Sequence, residues 1–301
     1  MKGGGMARLG LSFLLMSMIS LARAEDHTVA LDSHVHGLNT ITFSRYQAPG
    51  GQGVRAALSG PGGAAYQLSG RCEPEGGDPD VLTAFTLKEH GQTALVYVCT
   101  WRVDHSGLGI KGVAYRGFVY TETSDGKLHE NPALENLFAG YEGSTEAGAR
   151  DYFFYGTHDL LTRRARDSLS GTGDESLSTA HSVVLQRLAD LDYDGVTGYL
   201  TADRLTALLQ REPLGRTNVV FYNDIGYALG QAGAFSASYK LLSQVESVVP
   251  DRMVLKLNIA DALWGLQDKE KARDYYRQYV LEMTGTGKRL EIPGEVLIRA
   301  Q

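Results

Sequence analysis

The chain predicts a segregated α+β fold, with an antiparallel β domain first and an all-α domain after it. Three observations carry that reading. From Thr28 to about Tyr141 the text is rich in Gly, Thr, Val and Tyr, arranged in short alternating runs between turn residues. After Tyr141 the apolar residues recur at helical spacing instead. Strands and helices do not alternate along the chain, which excludes a (β/α) barrel. The expected division is a leader over 1–24, a β-rich domain over 25–145 and a helical domain over 146–301.

The leader is read first because it sets the chemistry of the rest. Lys2 and Arg8 precede an apolar stretch from Leu9 to Leu21, and Ala22-Arg23-Ala24 fits the small-x-small rule for cleavage. A cleavable signal peptide cut after Ala24 is expected, with the mature chain periplasmic or secreted. The apolar run is short for a membrane span and no second one follows, so no span is expected in the mature chain. Export gives the two cysteines their meaning. Cys72 and Cys99 form an even pair in an oxidising compartment, so a disulfide is expected. In the chain-entropy picture it stabilises by about 3–4 kcal/mol.

Within the first half, ITFSRY, VRAALSG, AAYQLSG, VLTAFTLKE, TALVYVCTWRV, GVAYRGFVYTET and GKLHE read as strands. Ala48-Pro49-Gly50-Gly51, Gly60-Pro61-Gly62-Gly63 and Ser124-Asp125-Gly126 read as turns. ALVYV and VAYRGFVY are the expected central strands. Trp101, two residues past Cys99, should share a face with the disulfide. A sandwich or a curved sheet follows.

The second half offers helices at LLTRRARDSL, LSTAHSVVLQRLADL, TADRLTALLQRE, NVVFYNDIGYALGQAG, FSASYKLLSQVESVV, RMVLKLNIADALWGLQ and KEKARDYYRQYVLEM. The last four repeat. A shift of 34 residues superposes Tyr222 on Lys256, Ile225 on Ile259, Gly226 on Ala260 and Leu229 on Leu263. The same shift brings Ser238 onto Ala272, Leu242 onto Tyr276 and Val245 onto Tyr279, and Pro250 closes the first unit. The segment 217–283 thus resembles the tetratricopeptide repeat, a helix–turn–helix of that period with small residues where the helices cross. Ser238 replaces the usual Ala, and Thr284 stands where the second Pro is expected. Because two repeats are fewer than the three usually needed, the helices from about Asp151 to Glu212 should stack on them as a cap.

The resemblance implies a function in protein binding. In such repeats the first helix of each pair lines a concave surface, which here offers Asn223, Tyr227, Asp261 and Trp264 to a protein or peptide partner. Trp264 is the favoured anchor. Leu229, Leu242 and Leu263 should instead be buried between helices.

Two motifs invite other chemistry. Asp32-Ser33-His34-Val35-His36-Gly37 ends an apolar run, and on a strand His34 and His36 would face one side, as in zinc hydrolases. A barrel site needs further ligands at the ends of later strands, and His90, His105, His129, His158 and His181 fall in turns or helices. The stretch is also similar to the His-x-His-Gly opening of some small periplasmic zinc-binding proteins. Asp190-Leu191-Asp192-Tyr193-Asp194-Gly195 has the beginning of an EF-hand loop, but position 12 is Thr201, where a bidentate Glu is required. An acidic turn with Thr201 capping the next helix is the favoured reading.

Composition closes other classes. The formal charge is −6, and losing a leader with Lys2, Arg8, Arg23 and no acid leaves −9. The compact basic cluster Arg163-Arg164-Ala165-Arg166 lies in helical text beside Asp159 and Asp167, so nucleic-acid binding is not expected. Gly-x-Ser-x-Gly, His-Glu-x-x-His and phosphate-loop motifs are all missing. Gly107-Leu108-Gly109-Ile110-Lys111-Gly112 joins two strands and reads as a hairpin turn, while Glu142 and Glu146 make no catalytic pair. No catalytic residue, cofactor or metal is assigned. The expected function is an exported scaffold that binds a partner. Two alternatives stay open: a periplasmic metal-binding protein using His34 and His36, and an inhibitor or immunity-type protein against a toxin or enzyme.

Overall fold

The computed structural model describes residues 26–301 except 61, 62, 64, 124 and 172–174. The expected signal peptide lies outside the described residues, as do parts of the turns around 61–64 and 124. Antiparallel sheets fill the N-terminal part and helices the C-terminal part, as the sequence predicts. The first sheet is a four-stranded meander of β1 (His27–Val35), β2 (Leu38–Ala48), β3 (Gly51–Ser59) and β4 (Ala65–Cys72). The second contains β5 (Asp80–Glu89), β6 (Gln92–His105), β7 (Ile110–Glu122), β9 (Gly140–Ser144) and β10 (Arg150–Asp151), with order β10-β9-β7-β6-β5. The short β8 (Leu128–Glu130) also pairs with β7.

Strand β6 decides the architecture. Its alternation sends Leu95, Tyr97, Cys99 and Trp101 into a core shared with Ile41, Phe43, Leu58 and Leu68 of the first sheet. Val96 and Val98 point the other way, into a core shared with the helices. The near-continuous apolar run TALVYVCTW is therefore buried on both faces, as a central strand between two layers should be. The result is three layers, sheet on sheet on helices. Cys72 on β4 and Cys99 on β6 are bonded, with Cα atoms 6.3 Å apart, and so staple the two sheets together. Trp101 lies in the same core and its indole N–H donates to the Glu73 carbonyl at 2.8 Å. Gly70 sits where a Cβ would meet the Phe118 ring at 2.4 Å and the Tyr97 hydroxyl at 2.6 Å. Only a residue without a side chain lets β4 approach those rings.

Helices follow as α1 (Pro132–Glu135), α2 (His158–Leu169), α3 (Leu177–Ala189), α4 (Tyr193–Tyr199) and α5 (Ala202–Arg211). Then come α6 (Val219–Gln231), α7 (Phe235–Val248), α8 (Met253–Gly265), α9 (Lys269–Gly285) and α10 (Gly294–Arg299). The junction between sheet and helices is held by Arg187 of α3, which is buried and takes Glu142 of β9 in a two-pronged ion pair. Its Nη1 also donates to Asp192 at 3.0 Å. A buried guanidinium with two carboxylates is satisfied; without it both acids would be left nearly dry.

Among the described residues no helix is long and apolar enough to cross a membrane.

Candidate functional site

The last four long helices build the site. α6 and α8 begin 34 residues apart, at 219 and 253, and α7 and α9 likewise, at 235 and 269. The turns between them also correspond, for Gly233 (φ 78°) and Gln267 (φ 65°) both take the left-handed conformation. Leu229, Leu242 and Leu263 are buried between the helices, with Ile225 and Ile259. Gly226 faces Leu242 so closely that a Cβ would lie 2.5 Å from its Cδ2, so the small residue is what lets α6 and α7 cross. The Ser238 hydroxyl, also buried, donates to the Gly226 carbonyl at 2.6 Å.

Beside these helices lies a cavity of about 280 Å³, lined among others by Tyr227, Gln231, Asn258, Asp261, Trp264 and Arg299. The structure brings together three of the four residues expected at a partner surface. Tyr227 is 38% exposed, and Asp261 and Trp264 are half-buried. Asn223 is different and corrects the expectation. It is only 2% exposed, accepts from Asn258 Nδ2 at 3.3 Å and donates to Asp224 at 3.2 Å. A buried amide must find partners, and Asn223 finds them between α6 and α8 instead of facing the groove.

The residues that complete the groove were not legible in the sequence. Arg299 on α10 donates to the Tyr276 hydroxyl at 2.9 Å and reaches Asp261 at 3.4 Å, while Tyr276 itself donates to Asp261 at 2.6 Å. The Trp264 ring meets Tyr276 edge-on at 6.0 Å between centroids. Arg299 lies 5.0 Å and Lys269 5.1 Å from the indole centroid. Burial pushes the Asp261 carboxyl above its ordinary range, against the opposing pull of Tyr276 and Arg299. Residues 38 apart in sequence have no local pattern linking them, so only the fold could pair Asp261 with Arg299.

The two metal-like motifs take other roles. Val35 pairs with Leu38, so His36 and Gly37 form a two-residue hairpin turn with φ 53° and 73°. The strand alternation that would align His36 with His34 stops there. His36 Nδ1 instead lies 2.6 Å from the Gly126 carbonyl, and the ring packs on Tyr66. In the acidic stretch, Asp190 caps the end of α3 and Asp192 caps α4 by accepting from the Gly195 N–H at 3.0 Å. What reads as the start of a calcium loop is a tight turn into a helix, and Thr201 caps α5. Among the described residues no group of three or more His, Cys, Asp or Glu is placed to hold a metal ion.

The basic cluster is likewise engaged. Arg164 stacks over Tyr155 at 3.9 Å, Arg166 pairs with Glu89 and Arg163 bonds Ser178. No protein-family model matches the chain, and no curated protein or solved structure matches it either.

Proposed function

We propose that the chain is an exported protein-binding module, without catalysis, which takes a protein or peptide partner in the groove beside α6, α8 and α10. The observation that carries this is the convergence of Tyr227, Asp261 and Trp264 on one cavity while their helical neighbours Leu229 and Leu263 are buried. Tyr, Trp and Arg are the residue types enriched among interface anchors, and Tyr227, Trp264 and Arg299 all line this cavity. In this reading α6 to α9 are two tetratricopeptide-type pairs, supported by the common 34-residue offset of helix starts and of the left-handed turn residues. Export is supported by the Cys72–Cys99 disulfide, a bond that persists where thiols are oxidised.

The test separates anchoring from folding. Immobilised full-length chain is used to capture partners from an extract of exported proteins, with the captured set identified by mass spectrometry. Tyr227→Ala should leave the melting temperature nearly unchanged and weaken capture by about 2 kcal/mol, as for an interface anchor. Trp264→Ala should weaken capture at least as much, with some loss of stability because its ring packs on Tyr276. If both variants retain the same partners at wild-type affinity, the groove is not the binding surface.

A further inference from the structure

The groove already holds a cation. Around the Arg299 guanidinium stand the Tyr276 hydroxyl at 2.9 Å, Glu295 at 3.3 Å, Asp261 at 3.4 Å and the indole face of Trp264 at 5.0 Å. Three of those four groups belong to α8 and α9, so the repeat-like helices themselves supply the seat. A planar cation over an aromatic face with a carboxylate at its edge is favourable in two ways at once, by cation–π attraction and by charge-assisted hydrogen bonding.

The segment that delivers Arg299 is weakly built. α10 has six residues, too few to be helical unaided. It is held by the buried Val296, by Leu297 and Ala300 packed half-buried against the same core, by Arg299 itself, and by Arg277, which donates to the carbonyls of Ala300 and Gln301. Ile298 remains 71% exposed. A single short helix with one fully buried side chain opens at lower cost than the long helices beneath it.

We propose that the Trp264–Tyr276–Asp261 corner is a seat for a guanidinium group, and that a partner segment carrying an arginine displaces Arg299, which fills the seat in the unbound chain. This rests on the groove being the binding surface. Charge complementarity selects the occupant. The groove lining carries two carboxylates, Asp261 and Glu295, against one cation, Arg299, that is already paired with both; Lys269, outside the lining, reaches the Trp264 ring at 5.1 Å. An anionic partner group would face those carboxylates; an arginine replaces like with like. Lysine fits less well, because a point charge cannot both lie flat on the indole and bond Asp261 and Tyr276 in one plane.

The probe is a capped pentapeptide with one central arginine between glycines, beside versions with citrulline, lysine and glutamate. Binding to the full chain is measured by calorimetry. Freed from internal competition, Arg299→Ala should bind the arginine peptide at least about tenfold more tightly than wild type, the gain expected if Arg299 fills the seat about nine-tenths of the time. Citrulline, of similar shape but uncharged, should bind at least about tenfold more weakly than arginine, and Asp261→Asn in the Arg299→Ala background should abolish the gain. Arg299→Gln, which keeps the length of the side chain, repeats the comparison should Arg299→Ala lower the melting temperature. Equal affinity of wild type and both Arg299 variants, citrulline binding as well as arginine, or a preference for glutamate would each overturn the seat. Failure here with capture still dependent on Tyr227 and Trp264 leaves the groove standing. Arginine binding with capture indifferent to those two residues removes the groove as partner surface and keeps the seat.

Discussion

The pairs α6–α7 and α8–α9 run along one backbone plan but present different surfaces. At the buried positions they agree: Ile225 and Ile259, Leu229 and Leu263, Gly226 and Ala260 occupy corresponding places and are all buried. At the groove positions they part. Tyr227 corresponds to Asp261, and Gly230, which has no side chain, corresponds to Trp264. The hollow opens where position 230 is bare, and the indole of the second pair forms its wall. The lesson is that packing fixes the helix pair, while the residues it leaves half-exposed are free to differ.

The strongest way to break the comparison is in the core. Leu229→Ala and Leu263→Ala should each cost about 2–5 kcal/mol, since both side chains are fully enclosed. Chemical denaturation of the two variants should give costs of similar size. A large effect in one and almost none in the other would show that the pairs are not equivalent in packing.

The turns sharpen it further. Gly233 and Gln267 both hold a left-handed conformation, which costs an ordinary L-residue about 1–2 kcal/mol. Gly233→Ala should therefore destabilise by about that amount, with open space around the new Cβ and no clash to add to it. Gln267→Gly should stabilise by up to about 1 kcal/mol, less than the full strain because Gly also frees the unfolded chain. Opposite signs at corresponding positions, read from melting curves, are the expected outcome.

The smallest effect is electrostatic and separates Asp261 from its counterpart Tyr227. Burial raises the folded carboxyl of Asp261 above its ordinary 3.8, over the opposing effects of Tyr276 and Arg299 and with Glu295 adding to the rise. A carboxyl raised on folding contributes stability that is complete below its unfolded value and lost as pH rises through the folded one. Measured stability of wild type relative to Asp261→Asn should therefore fall across the window just above 3.8 and level off beyond it. A relative stability that rises through the same window would show that the ion pair with Arg299, not burial, dominates.

Much of the fold was legible because long elements write a period into the sequence. The alternation in VLTAFTLKE and the β-rich apolar run TALVYVCTW mark β5 and β6, and helical spacing marks α2, α3 and α5 to α9, with edges within a few residues. Apart from β8, which lies within GKLHE, the short elements were not legible. α4 contains two glycines in seven residues and its text predicts an acidic turn, while β9, β10 and α10 lack the length for any period. Such segments form because something covers them, not because their own propensity suffices. Of the four residues expected at a partner surface, Tyr227, Asp261 and Trp264 line one cavity, while Asn223, equally polar and on the same helix as Tyr227, is buried. One turn of α6 separates a groove residue from an interhelical one, and periodicity alone does not resolve that.

The sequence by itself determined the order of sheet and helix, the pairing partner available to each cysteine, and the apolar residues that must be enclosed. Those follow from local propensity and from the period of apolar residues, which are properties of neighbours along the chain. Tertiary structure alone decided that the six-stranded sheet is covered on both faces, that Arg187 joins Glu142 to Asp192, and that Arg299 closes the groove over Asp261 and Trp264. Each of these depends on groups far apart in sequence: apolar faces that water drives together, and charges whose attraction strengthens once folding has excluded water from between them.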